Sequence, residues 1–148
     1  MERSNSYPAY TLNACVSFAQ EIYNSLGKTD YASPELISDS VFKKAYTTLK
    51  QKFSSSVQYG LLDLKKRQGY RVTSLFISIA HPINQGEDYR SRKEAIKCPP
   101  LYKKLIDKYD GQILPNAVGL ESIFIRDYGI SKSAAKKAVE VFFSNCSD

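Results

Sequence analysis

The residues able to do covalent or metal chemistry are few and scattered. The chain has one histidine, His81, and it stands before Pro82 at the end of an apolar run. Its three cysteines, Cys15, Cys98 and Cys146, lie far apart, and no two stand at a metal-ligand spacing. An odd count also rules out a complete disulfide framework, so they are expected to be small buried hydrophobes in a reducing compartment. Catalysis needs a nucleophile, a base and a stabiliser within reach of one another, or a metal. The acids Glu87, Asp88, Asp107 and Asp110 do not form a recognisable pair, and no glycine loop is built to cradle a phosphate. The sequence therefore reads as non-catalytic, with no cofactor and no metal.

Charge is the stronger signal. Residues 41–72 hold Lys43, Lys44, Lys50, Lys52, Lys65, Lys66, Arg67 and Arg71 against one acid, Asp63. This segment carries +7 in a chain whose total is +6, so the remainder is close to neutral. Positive charge segregated in this way is the mark of a surface for polyanions. At 148 residues, with 43% hydrophobic content, 11 Tyr and 7 Phe, the chain has apolar material for a core. No apolar run approaches the ~20 residues a bilayer requires, and the N-terminus lacks the apolar stretch of a secretory signal. A soluble, cytoplasmic protein with no membrane partner is expected.

The elements that must position this charge follow from periodicity. Residues 1–10 are expected to be a flexible N-terminal arm, with Pro8 blocking an early helix. Leu12, Cys15, Val16, Ala19, Ile22, Tyr23 and Leu26 recur at helical spacing, between a Thr11 cap and a Gly27 stop. Ser33-Pro34-Glu35 starts a short second helix carrying Leu36, Ile37 and Val41. A third helix over about 45–59 repeats Leu49, Phe53 and Val57. Its other face shows Thr47, Lys50, Gln51, Ser54, Ser55 and Gln58, almost free of carboxylates. The period then changes from helix to strand. Leu61-Leu62-Asp63-Leu64 and Tyr70-Arg71-Val72-Thr73 read as two strands, and Lys65-Lys66-Arg67-Gln68-Gly69 is the hairpin tip between them. Residues 74–80 suit a helix or a further strand. Residues 84–95 begin as a polar linker that leads into a short helix at 92–97. Pro99-Pro100, Gly129-Ile130-Ser131 and the stripes between them then mark three more helices.

The phrase "FSSSVQYGLLDLKKRQGYRVT", residues 53–73, carries a resemblance. Winged-helix proteins close their third helix with a Y-G-L-[IL] phrase and their wing with a G-x-Y-x-[LV]-T phrase. Here stand Tyr59-Gly60-Leu61-Leu62 and Gly69-Tyr70-Arg71-Val72-Thr73, with Gly69 directly before Tyr70. Residues 12–73 thus resemble a winged-helix domain. With "KCPPLYKKLIDKYDGQILPN" and "LESIFIRDYGISKSAAKKAVEVFFSN" added, the chain is similar to a bacterial family of uncharacterised proteins in which a winged helix precedes a helical segment.

The expected fold is mainly α with a small antiparallel β-hairpin: a winged helix-turn-helix over 11–83, then a linker and C-terminal helical segment over 84–148. The expected function is double-stranded DNA binding by a transcriptional or mobile-element regulator. Thr47, Lys50, Gln51, Ser54, Ser55 and Gln58 would face the groove from the third helix. Lys65, Lys66, Arg67 and Arg71 would meet phosphates from the wing. The alternative is a protein-protein interaction module within a larger bacterial assembly, such as a defence system. Adjacent Phe142 and Phe143 cannot share a helix face. One is expected in the core and the other at a homodimer contact, which makes both dimerisation candidates.

Overall fold

The computed structural model describes residues 7–27 and 31–147, so the expected arm over 1–6 and the start of the connector at 28–30 lie outside the described residues. The first helix, α1 (Leu12–Leu26), starts where the Thr11 hydroxyl accepts the Ala14 N–H at 3.2 Å. It buries Leu12, Cys15, Phe18, Ala19 and Ile22. Helix α2 (Pro34–Ile37) begins at Ser33, whose hydroxyl accepts the Leu36 N–H. It runs on as a π-helical turn over Ser38–Phe42, and Lys43 ends that turn at φ +53°. Of its apolar residues, Leu36 stays half exposed, while Ile37 is fully buried. Helix α3 (Tyr46–Gln58) packs Leu49, Phe53 and Ser56 inward. After Gly60 the chain forms strands β1 (Leu62–Lys65) and β2 (Gly69–Val72). Their antiparallel register pairs Leu62 with Val72, Asp63 with Arg71, Leu64 with Tyr70 and Lys65 with Gly69.

The base of the hairpin is held by Thr73. Its hydroxyl donates to the Gly60 carbonyl at 2.6 Å and accepts the Phe76 N–H, which starts α4 (Ser74–Ala80). Residues 74–80 are therefore helix rather than strand. Helix α5 (Glu87–Ile96) begins earlier than expected, within the stretch read as linker. It buries Ser91 and Ala95, and Ala95 and Ile96 join the first core. Small buried residues among charges give little periodic signal, which is why a linker was the natural reading.

The described residues form two cores. The first gathers α1, the π-helical turn, α3, the hairpin and α4 around aromatic contacts. Phe18 stacks on Phe42 at 4.6 Å and meets Phe53 edge-on at 5.0 Å, while Phe53 also touches Tyr70. The second core joins α6 (Pro100–Lys108), α7 (Ala117–Tyr128) and α8 (Lys132–Ser147) through Leu101, Tyr102, Leu105, Leu120, Phe124 and Phe142.

Asn145 of α8 bridges the cores at 1% exposure. Its Oδ1 accepts the Leu12 N–H at 2.7 Å, and its Nδ2 donates to the Tyr59 hydroxyl at 2.8 Å. That hydroxyl donates onward to the Tyr10 carbonyl at 2.9 Å. Nearby, Tyr7 packs against the second core and the Ala9 N–H donates to Ser55. The described part of the expected flexible arm, residues 7–10, is thus docked. The mainly helical fold with one two-stranded antiparallel sheet is as expected.

Candidate nucleic-acid interface

On α3, Thr47, Lys50, Gln51, Ser54 and Gln58 fall within an arc of about 100° at 100° per residue. The first four are exposed and Gln58 is half-buried, its Nε2 donating to the Ser54 hydroxyl at 3.3 Å. They form one hydroxyl, amide and ammonium face with no carboxylate on it. Ser55 is a correction. It lies on the flank of this arc and is 1% exposed, because residues 8–10 cross over it and its hydroxyl accepts the Ala9 N–H at 3.0 Å. It cannot reach a ligand. Lys52 lies off this arc, its ammonium 5.5 Å from the centre of the Tyr10 ring.

The hairpin cations differ in setting, although the Lys65 ammonium, 5.8 Å from the centre of the Tyr31 ring, shares that ring with Arg71. Lys65, Lys66 and Arg67 are exposed at the tip. The Gln68 N–H closes the turn on the Lys65 carbonyl at 3.0 Å, and Arg67 adopts φ +70° there. Arg71 is on the returning strand and is engaged. Its guanidinium lies 4.4 Å over the Tyr31 ring, and Asp63 stands opposite it in the register. The Tyr31 hydroxyl donates to the Asp63 carboxylate. That hydrogen bond, foremost, holds the Tyr31 phenol above its ordinary range. Tyr31 and Asp63 thus hold Arg71 on the hairpin face. Periodicity missed both, since Tyr31 lies in a connector. The available signal was Asp63 itself, the single acid in the basic segment, which pairs with Arg71 in the register.

Gly69 shows why the tip is fixed. It adopts φ +106°, and a Cβ there would stand 1.9 Å from the Ala32 carbonyl oxygen. Ala32 approaches so closely because it pairs with Tyr70 in an isolated antiparallel bridge, through two main-chain hydrogen bonds of 2.9 Å each.

Of the two dimer candidates, one was expected in the core, and Phe142 takes that place. Phe142 is 1% exposed, with its ring 5.2 Å from that of Tyr102, so it is a core residue. Phe143 is half-buried and packs against the same core. Of the cysteines, Cys15 alone is buried, while Cys98 and Cys146 are exposed. His81 is exposed beside Tyr23, at 5.4 Å between rings. Among the described residues, no three His, Cys, Asp or Glu side chains gather as metal ligands, and no helix is long and apolar enough to cross a membrane. Against known proteins, no family model, no curated protein and no solved structure matches the chain.

Proposed function

We propose that the chain is a non-catalytic winged-helix protein that binds duplex DNA, acting as a transcriptional or mobile-element regulator. The observation that carries this reading is one juxtaposition. The carboxylate-free face of α3 is followed directly by a hairpin whose exposed tip is Lys65-Lys66-Arg67. A major groove admits one α-helix, and Thr47, Gln51 and Ser54 offer short donors and acceptors to base edges or phosphates. Lys50 and the tip cations neutralise phosphates and release counterions. The element order supports the same reading: helix, bridged segment, short helix, helix, hairpin.

Fluorescence anisotropy with random duplex tests it. With four cations on phosphates, log affinity should fall against log salt with a slope of about −3 to −4. Lys65→Glu, Lys66→Glu and Arg67→Glu together should weaken binding by more than about tenfold. A triple variant that binds like the parent removes the wing from the site.

A second reading, the interaction module, is favoured by a different observation. Val118 and Ile125, seven residues apart on α7, are exposed at 73% and 38%, and Ile113 before the helix at 94%. Absence of duplex binding at low salt would select that reading.

A further inference from the structure

A groove of about 700 Å³ lies between the hairpin tip and the start of α2. Its walls are pre-set. The 33–35 segment and the 64–70 hairpin are joined at its base by the Ala32–Tyr70 bridge, so neither wall must be ordered on binding. The lining has three chemistries. Leu64 and Tyr70 pair in register and project on one face, joined by Tyr46 from the start of α3. Leu64 is 52% exposed, so its side chain is open to a ligand in the groove. Lys65, Lys66 and Arg67 line the tip side, and Glu35 lines the opposite side.

We infer that this groove takes an unpaired nucleotide of the bound nucleic acid, its base against Leu64 and Tyr46 and its phosphate toward the tip cations. The inference rests on the nucleic-acid reading above and names a finer ligand within it. Charge complementarity selects the partner: three consecutive cations border an apolar surface, and a nucleotide joins an anion to a flat π-faced ring. Size selects the unpaired form. A groove of this volume accepts a small organic group, whereas a duplex can only lie across its mouth. Glu35 adds an acceptor suited to an exocyclic amino group, as on cytosine.

The test compares three labelled probes by anisotropy at low salt: a blunt duplex, the same duplex with an unpaired extension, and the extension alone as single strand. The duplex with the extension should bind about tenfold tighter than the blunt one. Leu64→Ser, at a half-exposed position, should melt near the parent temperature, keep its blunt-duplex affinity and lose the preference. Equal binding of blunt and extended duplex overturns the groove assignment and leaves duplex binding standing. A preference that survives Leu64→Ser also overturns it. If no probe binds, the nucleic-acid reading fails together with the inference.

Discussion

Cys15 shows how much a single buried side chain reports on the first core. Burial foremost pushes its thiol up from 9.0 to about 11, against smaller downward pulls from Ser56 and Lys52. Tyr70 is pushed from 10.0 to about 12, again by burial first and then by Tyr46. In both groups the folded pKa exceeds the unfolded one. Their contribution to stability is therefore complete below pH 9 and is lost as pH rises through the folded values. Stability should fall between about pH 9 and 12, with Cys15 setting the lower part of the slope. Thermal melts across that window check this, and Cys15→Ala should delay the onset. A Cys15→Ala variant with the parent's alkaline profile would assign the loss to the tyrosines alone. Cys15 was legible as buried because it sits on the apolar stripe of α1. Cys98 and Cys146 lacked such a stripe position, and both are exposed.

The decisive element is the hairpin, and its glycine fixes more than a turn. Any side chain at 69 meets the Ala32 carbonyl and must also adopt a left-handed φ. Gly69→Ala is expected to cost on the order of 3 kcal/mol in urea unfolding and to loosen the Ala32–Tyr70 bridge. By contrast, Gly27 and Gly111 have open space around a new Cβ and φ near +70°, so Ala there should cost only about 1 kcal/mol. Equal losses at 69 and 27 would mean that the bridge contributes nothing. Helices α1 and α3 were readable from their 3.6 period and β2 from its period of 2, while β1 was readable as a short apolar run after Gly60. The bridge was not readable. A single residue pair has no period, and Ala32 carries no chemical signal. Ser55 was misplaced for a related reason: the helical wheel sets its angle, but its burial comes from residues 8–10 crossing over, which no local pattern encodes.

Across the whole molecule, the polar side chain of Asn145 links the two cores, beside the 7–10 segment that packs on both. Removing Asn145 leaves the Leu12 N–H without its acceptor and the Tyr59 hydroxyl without its donor, while that hydroxyl keeps the Tyr10 carbonyl. Each such loss costs about 1–3 kcal/mol. Asn145→Ala should lower the urea midpoint accordingly, and Tyr59→Phe should lower it by less. The double variant should fall short of the sum, because both changes break the same chain of hydrogen bonds. Additive losses would show that the two residues act separately. A sequence signal for this joint does exist. Asn145 stands three and four residues beyond Phe142 and Val141, on the buried stripe of α8, where a polar residue demands partners. What the sequence could not name was those partners, 133 and 86 residues away.

That separation has a kinetic meaning. Contacts between residues so distant in the chain require a long loop to close, so the Asn145 joint should form only after the local helices and the hairpin have assembled. It would then be absent from the folding transition state. In stopped-flow chevrons, Asn145→Ala should leave the refolding arm in place and raise the unfolding arm by nearly the full equilibrium loss. The joint then acts as a lock on a finished structure, setting how long the molecule stays folded rather than how fast it folds.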